Sequence, residues 1–233
     1  MSAVDVIVPD LWKQQEFSDV HIVMPKMHMT LTKLILKNSI GKIKMEEVDV
    51  KSMVYQMCRG IEYMHSAGVV HRDLKPDNIL VNCYIHRCDD PQCNIQGQNL
   101  WNVRITDYGL ARGLQQQSQA PKCNDVGKES MAVSGSPLTE YVVTRYYRAP
   151  EVMVCSRRYD YKIDNWAIGC ILGEMFYKKP LFRGKNHLHQ LQEIFYALGT
   201  PTDLSWIKTS DARQWISQLP SRSKRDLRSH FSF

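Results

Sequence analysis

No run of apolar residues in this 233-residue chain approaches the roughly 18 to 20 needed to cross a bilayer. The longest, around positions 166–175, is broken by glycines and by Glu174, so no membrane partner is expected. The opening MSAVDVIVPD lacks the basic start and apolar centre of a secretory leader. An even, closely spaced cysteine framework is missing too. Cys58, Cys83, Cys88, Cys93, Cys123, Cys155 and Cys170 form an odd, scattered set of seven, which implies a reducing compartment, the cytoplasm or the nucleus. Positive charge is in modest excess. The net charge of +6 and pI near 8.9 come from scattered Lys and Arg without aromatic interleaving, so no nucleic-acid partner is expected. Phosphate groups on small molecules or peptides account for the charge equally well. There is no internal repeat, and 43% hydrophobic residues over this length suffice for one sizeable core or two small ones packed together.

What the chain does have is punctuated periodicity. VDVIVPDL and DVHIVMPK are short β-branched runs separated by polar WKQQEFS, which predicts a strand pair, and LTKLILKN predicts a short helix. From Val50, the residues Met53, Val54, Met57, Ile61 and Met64 recur at three and four positions, a buried helical stripe ending at Gly68. GVVHRD, NILVN and NVRITD predict small strands that bracket loops. Two polar segments, near 83–99 and 115–137, predict surface insertions. Beyond them KIDNWAIGCILGEMFYKK predicts a strongly apolar helix, HLHQLQEIFYALG an amphipathic one, and SRSKRDLRSHFSF a basic, weakly structured tail.

HRDLKPDN at 71–78 supplies a carboxylate, an ammonium and an amide in one tight loop, and DYGLAR adds a second carboxylate, Asp107. Phosphoryl transfer asks for such a set: a positioned hydroxyl, metal ions bridging the phosphates, and positive charge where negative charge develops. An accidental cluster of loop charges is the competing reading, and it weakens because YYRAPE follows in order.

These three motifs together resemble a protein kinase. The resemblance implies an α+β fold, with a mostly helical C-terminal lobe at 28–233 and only a remnant strand pair and hinge of the N-terminal lobe at 1–27. It implies that Asp73 accepts the substrate hydroxyl proton, that Lys75 contacts the transferred phosphate, and that Asn78 and Asp107 hold magnesium beneath ATP. Tyr108 adds only a hydroxyl to the family's DFG signature, a change to packing and not to chemistry.

LTEYVVTRYYRAPEV narrows the resemblance to mitogen-activated protein kinases. By it Thr139 and Tyr141 are activation phosphosites for an upstream dual-specificity kinase. Phospho-Thr139 would meet Arg72 and Arg112, phospho-Tyr141 would meet Arg145 and Arg148, and substrates would carry Ser-Pro or Thr-Pro sites. Paired phosphates opposite arginines order such segments. A chance TxY tripeptide is the alternative. TEY resembles the extracellular-signal-regulated branch, whereas YVVTRYYRAPEV is closer to the Jun kinases, so the branch stays open.

The resemblance also places Met24 as gatekeeper, Met27 as the backbone partner of adenine and Leu80 as the pocket floor, although plain core roles for Met24 and Leu80 compete. Thr30 stands where the family often has an Asp near the ribose. Asp164 and Trp166 match a DxW helix start in which the Asp braces the catalytic loop, and Asp164 would also cap the helix. Cys83, His86, Cys88 and Cys93 raise zinc as an option, but their spacing is poor and reduced cysteines are the simpler expectation.

The resemblance starts at the fourth strand of the kinase N-terminal lobe and stops before its last helices. These 233 residues contain no glycine-rich phosphate loop, no VAIK lysine strand and no helix with its Glu partner. The two first strands would leave an open edge, Glu151 would lack its arginine, and an acidic docking groove would be absent. Three functions are therefore weighed: a mitogen-activated Ser/Thr kinase using ATP and Mg2+, a truncated pseudokinase that binds partners, and a zinc-dependent interaction module.

Overall fold

A computed structural model describes residues 4–7, 21–85, 99–113, 145–154 and 160–227. The predicted strand pair forms, with β1 (Asp5–Ile7) antiparallel to β2 (His21–Val23) and Val6 opposite Ile22. Chain direction then changes at β3 (Met29–Thr30), which pairs with β5 (Ile79–Ile85) and leads straight into α1 (Leu31–Ser39). Thr30 starts that helix because its hydroxyl accepts from the Lys33 amide at 3.3 Å, supplying a partner to an otherwise orphaned donor.

The Met-rich stripe lies on α2 (Glu47–Ser66), where Val50, Met53, Met57 and Ile61 are all buried. Each such side chain contributes on the order of 1.5 to 3 kcal/mol when removed from water. Their partners include Leu31 and Leu34 of α1, Val81 of β5, Val103 and Ile105 of β6 (Asn99–Ile105), and Ile168 and Ile171 of α4 (Lys162–Tyr177). Gly60 permits this contact, since a Cβ there would lie 3.0 Å from the Ile105 side chain. One core thus spans both halves of the chain and fixes the loops above it.

Short elements complete the lobe. β4 (Val69–Val70) pairs with β7 (Arg112–Gly113), and α3 (Pro150–Met153), α5 (His187–Leu198) and α6 (Ser210–Ser217) follow. α4 stops at Lys178, which adopts a left-handed backbone with φ 58.

Several expectations need correction. GVVHRD is a strand only at its two valines. β5 and β6 pair as far as Ile85 opposite Asn99, so positions 83–85 and 99 are paired strand and not irregular surface chain. Alternating side chains on a regular ladder outlast the polar composition there. Positions 86–98, and with them His86, Cys88 and Cys93, lie outside the described residues, as do 114–144. The basic tail is irregular but tied down through 227, with the Arg225 amide on the Ala197 carbonyl at 3.0 Å and Arg225 stacked on Tyr196.

Candidate active site

Strand β4 delivers the chain to a loop at 71–75, and the 3-10 turn Pro76–Asn78 carries it into β5. Within that span Lys75 Nζ meets Asp73 Oδ2 at 2.7 Å. Asn78 Nδ2 donates to the Asp73 carbonyl at 2.8 Å and to Asp73 Oδ2 at 3.0 Å. One carboxylate oxygen is therefore shared by an ammonium and an amide. Asp73 keeps its second oxygen for another group, the arrangement a proton acceptor requires.

The loop is held from below by two buried groups. His71 is fully buried, and burial pushes its pKa below the usual imidazole value. Neutral His71 accepts from the Asp73 amide through Nδ1 at 3.3 Å and donates from Nε2 to the Thr106 carbonyl at 3.1 Å. It thereby joins the loop to the end of β6. Asp164 of α4 is 1% exposed and accepts from the His71 and Arg72 amides, each at 2.9 Å, and from His65 Nε2 at 2.8 Å. The bracing role expected of Asp164 is present, but the capping role is not. Tyr161 is the N-cap of α4, and both Asp164 oxygens are spent on the loop. Arg72 sits at φ 73, a left-handed backbone that costs roughly 1 to 2 kcal/mol for a residue with a Cβ, and the Asp164 contact offsets that strain.

Asp107 follows Thr106, whose amide donates to the Asn78 carbonyl at 3.0 Å. It too is left-handed, at φ 63, and its exposed carboxylate takes only a long 3.4 Å bond from the Gly109 amide. Tyr108 packs its ring on His71 at 5.4 Å, and its hydroxyl donates to the Ile105 carbonyl at 3.0 Å. The extra hydroxyl of DYG is thus accommodated. Asn78 spends its NH2 on Asp73, which leaves its side-chain oxygen as the atom to offer a metal, and the Thr106–Asn78 backbone bond ties that residue to the one before the exposed Asp107. Two hard oxygens of this kind fit magnesium, which takes one or two protein ligands plus phosphate and water.

The arginines divide into two places. Arg112 lies opposite Val70, two positions before Arg72, in the β4–β7 pair, and donates to the Ala111 carbonyl at 2.8 Å. Arg145 and Arg148 are joined by a backbone bond in the turn before α3, and Arg145 Nη1 donates to the Lys185 carbonyl at 2.7 Å. Thr139 and Tyr141 lie outside the described residues. Met24 is 49% exposed, so the core alternative fails for it, while Met27 and Leu80 are half-buried. Glu151 is half-buried without an ion pair among the described residues, and burial raises its pKa. No group of three or more His, Cys, Asp or Glu fit for a metal occurs among the described residues.

A family model described as the protein kinase domain matches residues 6–228. The chain belongs to the protein kinase family. Within it the chain is similar to mitogen-activated protein kinases. It is 38% identical to mitogen-activated protein kinase 3 of Arabidopsis thaliana over 230 residues, 98% of this chain and 51% of that protein. It is 37% identical to mitogen-activated protein kinase 12 of Danio rerio over 227 residues, 97% of this chain and 51% of that one. Mitogen-activated protein kinase spk1 of Schizosaccharomyces pombe is 37% identical over 235 residues, covering 99% and 53%. The kinase chain spans about half the length of these curated relatives. No helix among its described residues is long and apolar enough to cross a membrane.

Sequence reasoning missed one buried polar pair in this kinase domain. Tyr147 Oη donates to Glu174 Oε2 at 2.6 Å, and burial raises the pKa of both. A carboxylate inside an otherwise apolar helical run was the available signal.

Proposed function

We propose that this chain carries the phosphoryl-transfer half of a serine/threonine protein kinase of the mitogen-activated class, which moves the γ-phosphate of MgATP to Ser or Thr hydroxyls. The observation that carries this reading is the meeting of Lys75 and Asn78 on one oxygen of Asp73. Asp73 orients the acceptor hydroxyl and takes its proton. Lys75, now paired with that acid, turns its charge to the transferred phosphate. Magnesium held by Asn78 and Asp107 would neutralise charge on the phosphates. Met24 and Met27 in the hinge meet adenine and Leu80 lies below it, with residues 1–27 as a remnant of the small lobe and 28–233 as the helical lobe.

Regulation and substrate choice follow the same reading. An upstream dual-specificity kinase phosphorylates Thr139 and Tyr141, and Arg72 with Arg112, and Arg145 with Arg148, receive the two phosphates. Substrates are proteins with Ser-Pro or Thr-Pro sites, met in the cytoplasm or nucleus. The alternative reading is a partner-binding domain without catalysis.

A graft decides between them. The upstream strands of a relative such as Arabidopsis mitogen-activated protein kinase 3 are fused ahead of Asp5, and Mg2+-dependent labelling of a Ser-Pro peptide is followed. The graft is expected to transfer phosphate, D73N to lose roughly a hundredfold or more, and the ungrafted chain to be slower by a similar factor. A graft that melts cooperatively but shows no Asp73-dependent transfer contradicts the kinase reading and favours the second.

A further inference from the structure

Gln190 is a polar side chain on α5 with no exposed surface at all. Its Oε1 accepts from the Gly184 amide at 2.7 Å, and its Nε2 donates to the carbonyls of Phe182 and Tyr146, each at 3.3 Å. Phe182 and Gly184 belong to the connection between α4 and α5, whereas Tyr146 belongs to the 3-10 turn Arg145–Tyr147 ahead of α3. The approach is close, for a Cβ on Gly184 would fall 2.3 Å from the Gln190 backbone. An apolar residue would fill the position, yet it would leave the buried Gly184 amide, the buried Phe182 carbonyl and the half-buried Tyr146 carbonyl with fewer partners.

The turn that Gln190 holds is tied on several sides. Arg145 is tied to Lys185 and Tyr147 to Glu174, so three successive residues are anchored to α4, α5 and their connection. On the other side Ala149, 1% exposed, packs against Val70 and Ile163. Val70 immediately precedes the loop that bears Asp73. Segment 145–149 is thus clamped between α5 and the strand that feeds the loop bearing Asp73.

We infer that Gln190 is a positioning residue for the peptide acceptor, setting segment 145–149 against the catalytic loop through the Tyr146 carbonyl. The inference rests on the kinase reading for its substrate, but the clamp itself does not.

Two variants of the full 233-residue chain separate the roles. Q190M keeps the volume and removes all three bonds. Q190E keeps an acceptor for Gly184 but offers no donor to Tyr146 when ionised. The readouts are amide hydrogen exchange at Gly184 and at 145–149, affinity for a Ser-Pro peptide, and affinity for MgATP. Q190M is expected to speed exchange at both places, weaken the peptide roughly tenfold, since small displacements carry such factors, and leave nucleotide affinity within about twofold. Q190E is expected to lose peptide affinity while Gly184 stays protected. Unchanged exchange at 145–149 in Q190M, peptide binding like the parent in either variant, or equal loss of peptide and nucleotide would overturn the inference. Should the parent chain bind no peptide, the kinase reading falls, and exchange at 145–149 still decides the clamp.

Discussion

Replacing Asp164 by Ala removes the acceptor of two buried backbone amides and of His65 in one step. Each orphaned donor costs about 1 to 3 kcal/mol, with bonds to an ionised group toward the upper end. Water entering the cavity recovers part of this, so the loss is about 3 to 5 kcal/mol. That is a large share of the 5 to 15 kcal/mol that typically holds a domain together. For a chain of this size each kcal/mol moves the melting midpoint by roughly 2 to 4 °C, which puts D164A on the order of 10 °C below the parent. The backbone of Arg72 would then relax from its left-handed conformation and carry Asp73 with it. D164N keeps one acceptor oxygen and is expected to lose about half as much. Circular dichroism melts, repeated in urea, measure both. A D164A midpoint within about 2 °C of the parent would refute the idea that this carboxylate holds the loop.

Burial raises the Glu151 pKa above its ordinary 4.5, so the folded chain binds a proton more tightly than the unfolded one and stability falls as pH rises between those values. E151Q should therefore be more stable than the parent at neutral pH, with the gain vanishing below about pH 4.5 in pH-dependent urea titrations. Gly184→Ala should cost about 3 kcal/mol because the Gln190 backbone stands 2.3 Å from its Cβ and cannot swing aside, while Gly169→Ala in α4, with nothing within 4 Å, should gain about 0.5 to 1 kcal/mol; paired melts test the contrast. Tyr147→Phe strands a buried Glu174 oxygen and should lower stability by about 1 to 3 kcal/mol, read from the urea midpoint.

How legible these features were depended on how far they reach along the chain. The α2 stripe and the 71–78 loop were visible because three- and four-residue spacing and tight loop chemistry are local. Gln190 was not, since its partner Tyr146 is 44 residues away and a glutamine in an amphipathic helix looks like solvent-facing polarity. For Asp164 the helix start alone suggested a cap, and only the resemblance pointed to the catalytic loop, because its partners lie 92 and 93 residues upstream. Helix Ser210–Ser217 passed unnoticed because only Ile216 among its side chains is buried, too little apolar period to announce a helix. Met24, named from resemblance as a gatekeeper, proved exposed because β1 and β2 pair only with each other among the described residues.

Paramagnetic Mn2+ in place of Mg2+, added with ATP to isotope-labelled chain, tests the central claim most directly. Selective loss of the NMR signals of the Asn78 side-chain amide and of the Asp107 and Gly109 backbone, abolished in D107N, is the predicted result. Broadening centred on other residues, or undiminished at Asn78 in D107N, would contradict a phosphoryl-transfer site at this loop.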